Sequence, residues 1–241
     1  MGLIIELPPE QRAAVLAQTS VKLFQLAAGT THVRYGDMTG GGRVGLISEN
    51  ISMAVDRSGT ASNGNVYIAW QDGRNLQIPS FTISGTYAYA DVLPRKSSDG
   101  GVTWSPVVRI NDNPEPLPDG GGTDQYQPGV AVDGWGKVGV CFYDRRHDPQ
   151  NFMIDRYCAV STDAGTTWLN KRQSSPSWAP SHATDFEIDP FYMGDYDSLA
   201  SDFTKTTPGF IGAFQISNTR GGISGNSIPV PNQDVVAVKV Q

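Results

Sequence analysis

The stretch Ser97-Ser98-Asp99-Gly100-Gly101-Val102-Thr103-Trp104 recurs further along the chain as Ser161-Thr162-Asp163-Ala164-Gly165-Thr166-Thr167-Trp168. Both copies read Ser-x-Asp-x-Gly-x-Thr-Trp. Asp and Gly at these offsets favour a tight turn between two strands, because Asp can accept bonds from nearby backbone N–H groups and Gly tolerates a positive φ. Two copies of one frame indicate a duplicated supersecondary unit. We call the two copies the first and second repeated turns.

Strand-like runs surround each repeated turn in the same order. Three runs precede each turn and a fourth follows it, with turn-forming residues between them. The first unit comprises residues 51–56, 66–70, 87–92 and 104–110, and the second comprises residues 130–133, 138–143, 152–160 and a strand from about residue 168. A third unit, residues 196–202, 209–214 and 235–240, has no repeated turn. The pattern predicts four short antiparallel strands in each complete unit.

The repeated turns resemble the Asp box of the BNR-repeat proteins, whose best-known members are the sialidases. The resemblance implies an all-β fold, a sialidase-like β-propeller of four-stranded antiparallel blades with each Asp box between the third and fourth strands. About three to three and a half blades can be traced in this sequence, whereas propellers close with roughly four to eight. We expect a second copy to complete the ring as a homodimer. A small irregular propeller and a fragment of a longer protein are the alternatives.

The Asp boxes themselves are expected to be structural, since the family carries them at the outer rim of the blades. Asp99 and Asp163 should then accept bonds from turn amides, and Trp104 and Trp168 should pack between sheets.

The composition limits both the fold and the function. The 241 residues include 27 Gly and 16 Pro, and 17% are charged, which suits one all-β domain with many turns. Residues 48–241 are expected to form the blades, and residues 1–47 an N-terminal extension with a short helix at 8–18 and closing strands. A net charge of −6 argues against nucleic-acid binding, and the lack of an apolar run of about 18 residues argues against a membrane span. No signal peptide is recognisable; the resemblance favours a secreted or periplasmic protein, and localisation stays open.

The two cysteines lie in neighbouring strand-like runs. If residues 147–151 form the turn between these runs, Cys141 and Cys158 stand nearly opposite one another. We expect a pair of buried free thiols that behave as small hydrophobic side chains. A cross-strand disulfide is the alternative, although its geometry is awkward.

An Asp-x-Arg pattern ends the second strand of the first two units, as Asp72/Arg74 and Asp144/Arg146. Each pair suits a bidentate ion pair that ties a loop to its neighbour. The alternative is functional, because the resemblance implies an arginine clamp for a substrate carboxylate. Arg145 stands outside the repeated pattern and is the better functional candidate. The candidate substrate-binding residues are Arg74, Arg145, Arg146 and Arg220.

Tyr196 opens the third unit within Gly194-Asp195-Tyr196-Asp197-Ser198-Leu199. It resembles the nucleophilic tyrosine of sialidases, which has a similar Tyr-x-x-Leu context. A neutral phenol suits an anionic sugar because it avoids repulsion with the substrate carboxylate, and a carboxylate base must activate it. Candidates for the base are Glu187, Asp195, Asp197 and Glu49, and candidates for a separate acid/base are Asp144, Asp148 and Asp37. The alternative is that Tyr196 only fills the channel.

These residues predict a sialidase-like glycoside hydrolase that acts on a carbohydrate, an anionic glycan, through a tyrosine/carboxylate pair. The sequence lacks the Arg-Ile-Pro segment that supplies one clamp arginine in sialidases. This omission favours a non-catalytic propeller that binds glycan or protein, and a hydrolase of another ester or glycoside class is a further alternative. We predict no cofactor and no metal site. The oxygen-rich stretch 111–124 is a weak Ca²⁺ candidate, because its spacing matches no EF-hand loop.

Overall fold

A computed structural model describes residues 51–79, 86–179, 197–203, 206, 209–220 and 230–240. This part of the chain contains ten strands and no helix, which confirms the all-β prediction. The predicted N-terminal helix and closing strands lie outside the described residues. In chain order the strands are β1 (Ser52–Val55), β2 (Val66–Pro79), β3 (Thr86–Ser97), β4 (Gln125–Val132), β5 (Val138–Asp144), β6 (Asp155–Ser161), β7 (Leu169–Arg172), β8 (Ser198–Asp202), β9 (Gly209–Arg220) and β10 (Val230–Val240).

The ten strands form three antiparallel sheets in chain order. Sheet 1 has the strand order β1-β2-β3, sheet 2 has β4-β5-β6-β7, and sheet 3 has β10-β9-β8. Each sheet is therefore a meander of successive strands and corresponds to one of the three sequence units. The repeated turns follow β3 and β6. The described strands of these three sheets do not join into one closed sheet.

Sheet 1 lacks the fourth strand that the sequence predicts at residues 104–110, so this prediction is wrong. The segment runs beside β3 and bonds to it irregularly: the Ser105 N–H donates to the Lys96 carbonyl at 2.8 Å. Elsewhere side chains replace the strand ladder, since the Val92 N–H donates to the Asn111 side-chain oxygen at 2.9 Å. Pro106 has no N–H to offer. The corresponding prediction for sheet 2 is confirmed by β7.

Sheet 2 lies between the other two sheets and is buried on both faces, as the burial of all seven β5 residues shows. Alternate residues of a strand point to opposite faces. Val138, Val140 and Phe142 pack in a cluster with residues of sheet 1, whereas Cys141 packs in a cluster with Phe210 of sheet 3. β4 contacts all three strands of sheet 1 and also β8. The first strands of the three sheets therefore lie next to one another.

Cys141 and Cys158 form a disulfide between directly paired positions of β5 and β6. The expectation of buried free thiols is therefore wrong, although both residues are buried as predicted. Their Cα atoms are 4.0 Å apart. The closest directly opposite residues of antiparallel strands have Cα atoms about 4.5 Å apart. The two side chains are therefore close enough for their sulfur atoms to bond.

Candidate functional site

The repeated turn and the Asp-x-Arg pair lie at opposite ends of sheet 2, and in sheet 1 the pair lies at a bulge midway along β2. In sheet 2, Val138 pairs with Ser161 beside the second repeated turn, and Asp144 pairs with Asp155 at the other end. In sheet 1, Ser97 begins the first repeated turn, whereas Asp72 pairs with Asp91. Loops with charged and aromatic side chains are gathered at the Asp144 end. The candidate functional site therefore lies at this end.

The repeated turns are held by matching hydrogen bonds, as predicted. Asp99 accepts the backbone N–H of Thr103 at 2.8 Å and the Thr103 hydroxyl at 2.5 Å. Asp163 makes the equivalent bonds with Thr167, at 2.8 Å and 2.6 Å. The Thr103 hydroxyl bond is the main cause that lowers the Asp99 pKa to about 2, and the Thr167 bond likewise lowers the pKa of Asp163. Both aspartates therefore have a structural role.

Trp168 of the second repeated turn packs against a core cluster shared by sheets 1 and 2, as expected. Trp104 of the first turn packs instead against buried residues of its own sheet.

Both Asp-x-Arg pairs form ion pairs, as one of the two alternatives predicts. The pattern ends the strand only in sheet 2, where β5 ends at Asp144; in sheet 1 the prediction is wrong, because β2 continues through Asp72 and Arg74 to Pro79. Arg74 Nε and Nη2 donate to the two carboxylate oxygens of Asp72 at 2.9 and 2.5 Å. Arg146 Nε donates to Asp144 at 2.9 Å, its Nη2 lies 2.8 Å from the same carboxylate, and its Nη1 contacts Asp112. Asp144 is completely buried, and this burial raises its pKa. Arg74 is thus engaged by Asp72, and Arg146 by Asp144.

Arg145 and its neighbour Arg146 point to opposite faces of sheet 2. Arg145 is buried, with its guanidinium 5.3 Å from the centre of the Tyr126 ring. Its Nη1 donates to the Asn151 carbonyl at 2.8 Å and lies 4.0 Å from Asp124 Oδ2. Arg145 therefore stands at the edge of the interface between sheets 2 and 3.

Arg156 is a residue that the sequence analysis missed. In sheet 2 it pairs with Tyr143, which in turn pairs with Tyr126, so the three side chains share one face. Arg156 is 1% exposed, and its guanidinium lies 4.6 Å from the Tyr143 ring centre and 5.3 Å from that of Phe214. Its position at the end of a strand, after Asp155, was the only signal in the sequence, because the burial of a side chain cannot be predicted from one strand.

Asp197 is the acidic partner of this cluster. Its Oδ2 accepts from Arg156 Nη1 at 3.0 Å, and its Oδ1 accepts from the Tyr143 hydroxyl at 3.0 Å. Burial raises the Tyr143 pKa, so the phenol stays protonated and donates. Within the described part of the chain, Arg156 Nε and Nη2 and Trp178 Nε1 are buried donors without a hydrogen-bond acceptor. The cluster therefore has unused donors beside one satisfied carboxylate.

Most of the other predicted site residues lie outside the described residues. Tyr196, Asp195 and Glu187, as well as Glu49 and Asp37, are not among the described residues. Arg220 is the last residue of β9, and its side chain is not described. Asp148 is described: it accepts three backbone N–H groups of its own loop, from Gln150, Phe152 and Met153, which indicates a role in the turn.

A second buried polar network lies between sheets 1 and 2. Arg109 Nε donates to Asp91 at 2.6 Å, and its Nη2 lies 3.7 Å from Glu115. Glu115 also accepts from the Asn113 amide and from the Thr123 N–H. Desolvation, together with the charge of Asp91, raises the Glu115 pKa to about 7 despite the opposing effect of these bonds. The sequence analysis did not single out Glu115, because its burial depends on the loop fold.

Part of the weak Ca²⁺ candidate stretch, residues 111–124, belongs to this network. The Asn111 amide donates within the same network, and no group of three His, Cys, Asp or Glu side chains suited to a metal occurs among the described residues. No helix long and apolar enough to cross a membrane occurs in the described segments.

Comparisons with known proteins give distant structural similarity only. The chain matches no protein-family model and no curated protein. Among solved structures it is similar to the Hadza microbial sialidase Hz136, with 14% identity, a TM-score of 0.38, and coverage of 78% of this chain and 30% of that one. It is also similar to a protein of unknown function from Dyadobacter fermentans, with 14% identity, a TM-score of 0.39, and coverage of 87% and 53%. The chain thus spans about half or less of these structures.

Proposed function

We propose that this chain forms part of a sialidase-like β-propeller that hydrolyses the glycosidic bond of an anionic glycan. Three antiparallel meanders that follow one another, with their first strands side by side, support a radial arrangement of blades. Matching turns after β3 and β6 at one end of the sheets support a repeated blade. The site then belongs to the opposite end.

The observation that carries the proposal is the buried guanidinium of Arg156. Asp197 uses only Nη1, and Nε and Nη2 have no acceptor among the described residues. Together they form a fork of donors, which is the geometry that binds a carboxylate through two parallel hydrogen bonds. The Trp178 indole N–H is a further unused donor in the same aromatic cluster. A buried fork of donors favours an anionic ligand over a neutral one, because a buried donor without an acceptor is costly.

The proposed chemistry uses Tyr196, the residue that precedes Asp197 in the sequence. A carboxylate base, Glu187 or Asp195, takes the phenol proton while the tyrosine oxygen bonds to the anomeric carbon. The glycosidic C–O bond breaks, and an acid donates a proton to the leaving oxygen. Water then bonds to the anomeric carbon and gives its proton to the deprotonated acid, while the tyrosine–sugar bond breaks and the tyrosine oxygen recovers its proton from the base. Asp144 has no part in this scheme, because Arg146 and Gln125 already bind its carboxylate.

A non-catalytic propeller that binds glycan or protein is the second candidate. It is favoured by the engagement of Arg74 with Asp72 and of Arg146 with Asp144, which withdraws two of the four predicted clamp arginines from a substrate. In either case the Cys141–Cys158 disulfide supports an oxidising compartment, such as the exterior of the cell or the periplasm.

The test is release of fluorophore from an aryl sialoside by the wild type, Tyr196→Phe and Arg156→Lys. We expect turnover in the wild type and none in Tyr196→Phe. Arg156→Lys keeps the charge but loses the fork, so it should raise KM at least tenfold. Arg172→Lys is the matched control, because Arg172 lies at the same end of sheet 2 but is paired with Asp155.

Three results separate the candidates. Equal KM values for Arg156→Lys and Arg172→Lys would remove Arg156 from the substrate site. Unchanged turnover in Tyr196→Phe would move the chemistry to another nucleophile. Absence of turnover in the wild type, together with saturable binding of the sialoside by calorimetry, would establish the non-catalytic alternative.

A further inference from the structure

The ion pair of Arg156 with Asp197 differs from three other Asp–Arg pairs of this protein. In those pairs the arginine turns Nε and Nη2 toward the carboxylate at 2.5–2.9 Å: Arg74 with Asp72, Arg146 with Asp144, and Arg172 with Asp155. Arg156 gives Asp197 only Nη1, at 3.0 Å, and its Nε and Nη2 have no acceptor in the described part of the chain. Arginine and carboxylate frequently pair through two parallel bonds, so the single bond of this pair calls for a cause.

The hydroxyl of Tyr143 holds the second oxygen of the Asp197 carboxylate. It donates to Oδ1 at 3.0 Å, whereas its other possible acceptor, the Gln215 carbonyl, is 3.3 Å away. A charged acceptor also makes the stronger hydrogen bond. The hydroxyl oxygen in turn accepts the Gln215 N–H at 3.0 Å, which fixes the hydroxyl from β9. The two carboxylate oxygens of Asp197 therefore have different partners.

The Tyr143 side chain is fixed in this position by its packing. It is 2% exposed, and the Arg156 guanidinium lies 4.6 Å from the centre of its ring. The ring centres of Trp178 and Tyr126 lie 6.3 and 5.5 Å away. Burial raises the Tyr143 pKa, so the phenol keeps its proton and remains a donor. Asp197 Oδ1 is thus held by a donor that cannot move aside without a cost in packing.

We infer that Tyr143 is a positioning residue that keeps the donors of Arg156 free for an anionic ligand. With Oδ1 bound to Tyr143, the Asp197 carboxylate bonds Arg156 only through Oδ2. Without the Tyr143 hydroxyl, Oδ1 would turn to Nη2, the neighbour of Nη1 on the same guanidinium, and form a bidentate pair. Only Nε would then remain for a ligand. The inference rests on the proposed function and adds a residue that acts through Asp197 and not on the substrate.

Tyr143→Phe tests this role, because it removes the hydroxyl and keeps the ring. Loss of one charged hydrogen bond to the substrate should raise KM for the aryl sialoside about tenfold or more, with kcat changed less than about threefold. Tyr157→Phe is the matched control. Tyr157 also has an arginine over its ring, Arg146 at 4.0 Å, but its hydroxyl bonds to His147 at 2.7 Å. Its KM should stay within about twofold of the wild type.

Asp197→Asn separates a positioning role from a merely structural one. The uncharged amide competes far less than a carboxylate for the Arg156 guanidinium. Tyr143→Phe should therefore raise KM less than about threefold in the Asp197→Asn background, against about tenfold in the wild-type background. An equal rise in both backgrounds would show that the Tyr143 hydroxyl acts only on the fold, which would overturn the inference.

A crystal structure of Tyr143→Phe tests the inference without a substrate. We expect Asp197 Oδ1 within about 3.2 Å of Arg156 Nη2, which is hydrogen-bond distance. An Oδ1 that stays away from Nη2 would overturn the inference even if the wild type hydrolyses the sialoside. If the wild type neither hydrolyses nor binds the sialoside, the proposed function falls. A bidentate pair in the variant would then still show that Tyr143 controls the donors of Arg156.

Discussion

Arg156 on β6 and Asp197, immediately before β8, form a buried ion pair that joins sheet 2 to sheet 3, with Nη1 and Oδ2 3.0 Å apart. Removal of one partner of a buried pair leaves an uncompensated charge, which costs about 3–5 kcal/mol. We expect Asp197→Ala to lower the free energy of unfolding by this amount in urea denaturation. The double variant Arg156→Met/Asp197→Ala should regain much of the loss. A loss below about 0.5 kcal/mol in Asp197→Ala would show that solvent reaches the pair.

The disulfide should contribute measurably to stability. Cys141 and Cys158 are 17 positions apart, and closure of a loop of about this length is worth ~3 kcal/mol in the chain-entropy description. The double variant Cys141→Ala/Cys158→Ala should therefore lose about that much free energy of unfolding. Reductant should destabilise the wild type to a similar degree and leave the double variant unchanged. Two titratable thiols in the unreduced, denatured wild type would contradict the bond.

Glu115 should make stability fall as the pH rises toward neutral. Its pKa is raised to about 7 in the folded protein, above the usual value near 4.3 in an unfolded chain. The folded protein therefore holds the proton more tightly, and the contribution is full below about pH 4 and lost as the pH passes 7. Glu115→Gln should flatten the Tm profile between pH 5 and 8 relative to the wild type. Identical profiles would show that Glu115 has an ordinary pKa.

The aspartates of the two repeated turns should make stability fall as the pH is lowered, which is opposite to the effect of Glu115. The Asp99 pKa is lowered to about 2, so its contribution is present above the unfolded value near 4 and is lost as the pH falls toward 2. Asp99→Asn and Asp163→Asn should each lower Tm by a few degrees at pH 7. The difference from the wild type should shrink between pH 5 and 2. A constant difference across this range would assign the effect to the turn geometry and not to the charge.

Close packing of sheet 2 on sheet 3 can be tested at two glycines. A Cβ at Gly139 would lie 2.8 Å from Phe210 Cε2, whereas a Cβ at Gly129 would meet its nearest atom, Leu199 Cβ, at an ordinary 3.5 Å. Gly139→Ala should therefore cost about 1–3 kcal/mol through overpacking. Gly129→Ala, the control in the same sheet, should be within about 1 kcal/mol of the wild type. Equal losses of unfolding free energy for the two variants in urea denaturation would mean that the Phe210 ring moves aside.

Features made by neighbours in the chain were predictable. The hydrogen bonds of the repeated turns join Asp99 to Thr103, and the Asp-x-Arg pairs join Asp72 to Arg74, so sequence spacing alone brings their atoms within reach. Strand alternation likewise predicted three units of antiparallel strands. The missing fourth strand of sheet 1 shows the limit: Pro106 and competing side chains outweighed the strand-like pattern.

The cysteine pair was predictable only in part. Alternation and turn position indicated that Cys141 and Cys158 stand nearly opposite. Whether they bond depends on a Cα separation of 4.0 Å, which register and sheet twist determine together. Sequence spacing reports the register and not the distance.

The sequence by itself determined the all-β class, the unit repeat and the structural role of the repeated turns, because these follow from periodicity and from bonds within five residues. Only the tertiary structure decided which charged groups are buried together. Arg156 meets Asp197 across 41 positions, and burial raises the pKa of Glu115 to about 7. Desolvation depends on what packs above a side chain, and that is a property of the assembled sheets.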